Sequence, residues 1–152
     1  METLFEDATI LPALEASTKR QALQMLAETV ATERGLDAGL VMQLLLEREQ
    51  LGATGVGGGV AMPHGRMKGL DRIAVGFARL KTPVEYEGPD GAPVDLILLL
   101  LAPEEAGAVC LKALSKASRI LRVPSVRERL RAAEGVDAIR DLLTDCHEAV
   151  AA

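Results

Sequence analysis

The amino-acid sequence predicts an α/β fold, a single three-layer α/β/α domain. Two observations carry this reading. Segments with helical spacing occur in pairs, and between them run stretches that are apolar on both faces, as strands covered from above and below must be. A third observation sets the domain count: the 152 residues contain no internal repeat, low-complexity segment or linker-like stretch, so residues 1–152 are expected to form one domain. A chain of this length buries roughly 68–70% of its unfolded surface, enough to fold without a disulfide or metal staple.

Taken in order, residues 10–14 are a short apolar run interrupted by Pro12, which suits an edge strand. Residues 17–34 have helical spacing, with Leu23, Leu26, Ala27 and Val30 on one face, Ser17 or Thr18 as the cap and Gly35 as the stop. Asp37 caps a second helix running to about residue 50, with Val41, Leu44 and Leu45 as its stripe and Arg48 continuing it. Residues 72–80 (RIAVGFARL) alternate Ile73, Val75 and Phe77 on one face with Ala74, Gly76 and Ala78 on the other, giving a strand apolar on both sides. Residues 82–93 read as a turn-rich connection around Pro89-Asp90-Gly91. Residues 94–102 are nearly all Leu and Ile, the best central strand. A third helix covers 104–122, with Val109, Cys110, Ala113, Leu114, Ala117 and Leu121 inward and Lys112, Lys116 and Arg119 outward. Pro124 is expected to break it. Ser125 with Glu128 then forms a capping box for a short helix to about 133, and Gly135 separates a last helix over about 136–146.

The remaining stretch, LGATGVGGGVAMPHGRMKG at 51–69, is the one the others are built to hold. It places five glycines within positions 52–59 and then His64 between Pro63 and Gly65. Glycine and proline at this density exclude a stable helix or an ordinary central strand. Backbone this free is tolerated mainly where the main chain must approach something small.

Composition excludes several functions. A net charge of −5 argues against a general nucleic-acid binder. Two cysteines, Cys110 and Cys146, define neither a disulfide framework nor a structural zinc site. The start, METLFEDATI, lacks the basic and apolar regions of a signal peptide. The longest apolar run falls well short of the roughly 20 residues a membrane span requires, so a cytoplasmic protein is expected. A Walker loop would need Lys followed by Ser or Thr after the last glycine, where Val60-Ala61 stands. G-x-G-x-x-G fits neither from Gly55 nor from Gly57. No metal-binding spacing and no G-x-S-x-G elbow occur, and neither a metal nor a cofactor is expected.

What is left is a lone imidazole beside many backbone amides. Neutral imidazole is a competent nucleophile, with an ordinary pKa near 6.5. One nitrogen can attack a phosphoryl group while the other donates the hydrogen bond that fixes the tautomer. The product's negative charge then needs donors, which glycine-rich nests and an arginine fork supply. Each hydrogen bond to a charged group contributes about 1.5–3 kcal/mol, so a few amides and one arginine suffice without a metal. Plainer readings exist for each residue. His64 can be a solvated loop residue, and Arg48 a complement to its helix dipole. The glycines can be a tight connection, and Cys110 core filler. His147 and Cys146 read as inert tail residues.

The run from Arg48 through the glycines to Pro63, His64, Gly65 and Arg66 resembles the active-site signature of IIA proteins of the bacterial phosphotransferase system, fructose/mannitol type, and within them the nitrogen-regulatory branch. The resemblance extends over about 10–145 and includes the ASTKRQAL opening, Val94-Asp95-Leu96, Ala-Pro-Glu-Glu and LKALSK. It implies a mixed sheet between helical layers. It also implies that His64 takes a phosphoryl group from an HPr-like phosphocarrier and acts mainly as a regulatory signal, with regulators of potassium transport among its partners. Arg48, Thr54, Gly55, Gly57, Gly59 and Cys110 are the expected surroundings of the phosphoryl group. Many members carry a second histidine where this chain has Cys110, a weaker donor. The absence of a fused IIB domain or membrane-spanning segment leans the expectation toward regulation. A transport component passing phosphate to a separate IIB, a non-transferring binding module and a thiol sensor at Cys110 are the alternatives.

Overall fold

The computed structural model describes residues 4–151; residues 1–3 of the amino-terminal segment, and Ala152 of the expected domain span, lie outside it. Six strands and five helices follow one another as β1 (Thr9–Leu14), α1 (Lys19–Arg34), α2 (Ala38–Leu51), β2 (Gly55–Gly57), β3 (Val60–Ala61), β4 (His64–Met67), β5 (Ala74–Val84), β6 (Val94–Pro103), α3 (Gly107–Leu121), α4 (Pro124–Ala132) and α5 (Gly135–Ala151). The sheet order is β1-β5-β6-β3-β2, with β4 also paired to β6. Pairing of β1 with β5 is parallel and that of β5 with β6 antiparallel, while β3 and β4 both run parallel to β6, so the sheet is mixed.

The two-sided pattern of the central strands explains the three layers. Ile97, Leu99 and Leu101 of β6 join Ala74, Ala78 and Leu80 of β5 under α1 and α2, where Leu26, Ala27, Val30, Val41 and Leu45 are buried. The alternate residues, Leu96 and Leu98 with Val75 and Phe77, pack beneath α3, α4 and α5 against Ile120, Leu130, Ile139 and Leu143. Gly76 is where α1 comes closest: a Cβ there would lie 2.6 Å from Val30 Cγ2. Thr18 caps α1 by accepting from the Gln21 amide at 3.1 Å, and Asp37 caps α2 through the Leu40 amide at 3.2 Å. Gly35 ends α1 at φ 68°.

Several expectations are corrected. The 51–69 stretch is not one loop, since it contributes β2, β3 and β4. Strand β5 begins two residues later than expected and runs four further, through Thr82 and Pro83. A break in register between Arg79 and Val84 accommodates the proline. Pro124 does not merely break α3. It is the first residue of α4, where its missing N–H is harmless, and neither Ser125 nor any other side chain caps that end. Val109 is 53% exposed, so the inward face of α3 is Cys110, Ala113, Ala117, Ile120 and Leu121. His147 is no loose tail residue, because α5 continues past it and buries it against Phe5.

Candidate active site

Strand β4 lines up beside the second half of β6, pairing His64 with Leu100 and Arg66 with Ala102. Its outer edge looks into a cleft of about 740 Å³ between α2 and α3, lined by Leu44, Glu47, Arg48 and Leu51 on one side and Gly107, Cys110, Leu111 and Leu114 on the other, with His64, Gly65 and Arg66 as its floor. The volume lies within the range of small-molecule clefts, and the cleft is open to solvent along its length.

The histidine is held at both nitrogens. Nδ1 lies 2.9 Å from the Met62 carbonyl oxygen, which can only accept, so Nδ1 carries the proton and donates it. Nε2 therefore presents its lone pair, and Arg48 Nε donates to it at 3.3 Å. Arg48 is fixed in turn by a 2.8 Å bond from Nη1 to the Gly52 carbonyl, at the end of its own helix. Seven residues from Val41 and three from Leu45, Arg48 extends the buried stripe of α2 to the point where the stripe meets the cleft.

Behind this pair stands a buried polar network. Glu49, whose side chain is 6% exposed, accepts from Lys19 Nζ at 3.0 Å and from the Thr54 amide at 3.2 Å. The Thr54 and Tyr86 hydroxyls lie 2.9 Å apart, and Lys19 sits 4.3 Å over the Tyr86 ring. Burial alone would raise the Glu49 carboxyl, but hydrogen bonds from Thr54, Lys19 and Tyr86 outweigh it and hold the group below the ordinary glutamate value. Burial pushes the Tyr86 phenol well above its usual range, so it remains a donor. The Thr54 carbonyl accepts the Met62 amide at 2.9 Å, which connects this network to the residue that orients His64.

Of the expected surroundings, Arg48 and Cys110 meet His64 in the cleft, whereas Thr54, Gly55, Gly57 and Gly59 do not line it. Thr54 acts one layer behind, with both its amide and its hydroxyl engaged. Gly57, Gly58 and Gly59, at φ 91°, 66° and 78°, make the turn between β2 and β3. Here glycine is needed for the approach of arginines. A Cβ on Gly58 would lie 2.8 Å from Arg127 Cζ, and one on Gly59 would collide with Arg131 Nη2. Cys110 is buried, and desolvation raises its thiol, with the Arg66 charge pulling the other way. The lowered pKa that a thiol sensor requires is absent. Sequence reasoning passed over Arg66 as part of the site. It stands two residues after His64 on the same strand, so the period-2 rule places both on one face, and that signal was available.

Comparison with known proteins agrees with the fold. The mixed sheet between helical layers is shared with solved phosphotransferase-system IIA proteins. The chain belongs to the family described as phosphoenolpyruvate-dependent sugar phosphotransferase system, EIIA 2, whose model matches residues 3–146. It is 49% identical over 134 residues to a nitrogen regulatory protein of Bradyrhizobium diazoefficiens, covering 88% of each chain. To the nitrogen regulatory protein of Pseudomonas aeruginosa it is 34% identical over 95% of each. Among solved structures it resembles the nitrogen regulatory protein IIA-Ntr from Neisseria meningitidis (TM-score 0.84, 36% identity, 90% of this chain and 92% of that one). IIA mannitol from Escherichia coli is also similar (TM-score 0.72, 27% identity, 89% and 95%). No helix among the described residues is long and apolar enough to cross a membrane.

Proposed function

We propose that the protein is a phosphoryl carrier whose His64 Nε2 accepts a phosphoryl group from the phosphohistidine of an HPr-like phosphocarrier, and that its phosphorylation state acts mainly as a regulatory signal. The observation that carries this reading is the pinned tautomer: Nδ1–H donates to Met62 and Nε2 faces an open cleft with a guanidinium beside it. The Nε2 lone pair forms the new N–P bond while the N–P bond to the donor histidine breaks; the donor ring, protonated on its other nitrogen, takes back the electron pair and leaves as neutral imidazole. No proton has to move. The ring of His64 becomes cationic, and the Met62 carbonyl stabilises that charge through Nδ1–H. Arg48 Nε gives up the lone pair and turns to the phosphoryl oxygens, as a charge-assisted donor should.

Docking of a protein donor suits the rim, where Leu51 is 86% and Leu111 70% exposed. A phosphoryl group between them changes the charge of that surface, which is how one partner is favoured over another. Regulators of potassium transport are among the targets such a signal would serve. The test is intact-mass analysis after incubation with phosphoenolpyruvate, the donor enzyme and the HPr-like carrier. One acid-labile, alkali-stable phosphoryl group is expected on the wild type and on His147→Ala, and none on His64→Ala. Label that persists in His64→Ala refutes the assignment, and a wild type that takes up nothing leaves only a binding module.

A further inference from the structure

A second cleft, of about 560 Å³, opens on the opposite flank of α3 from the His64 site. Its lining includes Lys112 and Lys116 from α3, His147 from α5, and apolar Leu4, Ile73 and Pro103. Lys112 and Lys116 are one helical turn apart, and neither has an ion pair among the described residues. Among the described residues the acids of the lining are Asp7 and Asp71. Asp7 is paired with Arg34 at 3.0 Å and Arg72 at 2.8 Å, which leaves Asp71 as the one described acid of the lining without an ion pair.

His147 makes this more than a basic patch. Its side chain is buried, with the residue only 9% exposed, and its ring meets Phe5 edge-on at 5.8 Å. Nδ1 is sealed from solvent and has no hydrogen-bond partner. A proton on Nδ1 would bury an unsatisfied donor, so the neutral ring carries its proton on Nε2. Nε2 is not sealed in this way and bonds to no protein group among the described residues, which leaves it free to donate from a ring that lines the cleft. Burial, with the Lys116 charge adding and Glu148 opposing, holds the ring below the ordinary histidine pKa and thus neutral. An N–H donor on a largely buried ring, in one cleft with two ammonium groups that have no ion pair among the described residues, over an apolar floor, is a receptor for an anion with a carbon body.

We propose that this cleft binds a small organic anion, a carboxylate or phosphate monoester, with Lys112 and Lys116 taking its charge, His147 Nε2–H donating to it, and Leu4, Ile73 and Pro103 covering its apolar part. The site does not depend on the reading of His64. It does share α3, which walls both clefts, so a ligand here bears on the helix that carries Cys110 and Leu111.

Amide and imidazole NMR shifts of the full chain, titrated with phenyl phosphate, benzoate and neutral benzyl alcohol, test the proposal. Saturable shifts centred on Lys112, Lys116 and His147 are expected for at least one anion, with half-saturation below about 1 mM and no saturation by benzyl alcohol. The stronger of the two anions identifies phosphate or carboxylate as the natural head group. The double substitution Lys112→Gln/Lys116→Gln should weaken the anion by about tenfold or more, as expected for removing charge-assisted donors. His64→Ala should leave it unchanged. The proposal is overturned by an absence of saturable shifts with both anions, by equal binding of benzyl alcohol, by full affinity in the double lysine variant, or by shifts confined to the His64 cleft.

Discussion

The two halves of the glycine–histidine stretch look alike on paper and differ in kind in the fold. Residues 55–61 form a small hairpin gripped by side chains. Arg131 reaches the Gly58 carbonyl at 2.7 Å and both oxygens of Asp95 at 2.9 and 2.8 Å, while Asp90 accepts the Gly58 amide at 3.0 Å. Residues 62–67 form a strand edge gripped by backbone, with the His64 ring turned to the solvent cleft. Glycine in the first half makes room for arginines, whereas the one glycine of the second half, Gly65, is not demanded by space, since its Cβ would meet Leu44 at an ordinary 3.7 Å. Dense glycine beside a nucleophile is therefore not evidence that the glycines touch what the nucleophile carries.

Substitutions should separate the halves. Arg48→Ala is expected to have the largest effect, slowing phosphoryl uptake about 10²–10³-fold, the usual cost of one lost donor at a reacting oxygen. Its thermal midpoint should stay near wild type. Quench-flow uptake from the phosphorylated carrier measures the first quantity and calorimetry the second. Gly59→Ala should do the reverse. It forces a side chain into a φ of 78° and against Arg131, costing about 2–3 kcal/mol in urea unfolding, while uptake per folded molecule is preserved. Uptake lost in proportion to stability would return the hairpin to the site.

Glu49→Gln tests the network behind Met62. It should cost about 1–3 kcal/mol at neutral pH by removing the Lys19 ion pair and weakening the acceptor for Thr54. The folded carboxyl of Glu49 sits below its unfolded value. Its contribution is therefore complete above the ordinary glutamate pKa and is lost as pH falls through the folded pKa. Wild type and variant should converge in stability as the medium is acidified below the ordinary glutamate range, a convergence read from urea midpoints. Asp95→Ala should have the smallest effect, about 0.5–1 kcal/mol, because its partner Arg131 is partly solvated.

Much of the scaffold was legible. Thr18, Asp37 and Gly35 end helices by mechanisms local to a few residues, and the Leu/Ile run of β6 has no alternative but the interior. The meeting of Arg48 and His64 was expected too, from the α2 stripe and the family resemblance, and the two side chains do meet, at 3.3 Å. What escaped notice depends on distant partners. Two- and four-residue strands such as β3 and β4 carry no periodicity of their own and exist because β6 offers a ladder. Val109 reads as core on a helical wheel, but α3 meets the sheet with Cys110 and Ala113 instead. Thr54, expected beside the phosphoryl group from the family resemblance, has its hydroxyl 2.9 Å from that of Tyr86, thirty-two residues away, a pairing no local pattern announces.

The group that selects which nitrogen of residue 64 keeps its proton is a peptide oxygen two positions upstream. No replacement of one amino acid by another can delete an oxygen of the main chain. The choice of tautomer is thus insulated from most point changes at position 62 and vulnerable to a change in chain length between 60 and 64. Insertions or deletions there, rather than substitutions, are the lesions that would silence the histidine while leaving it in place.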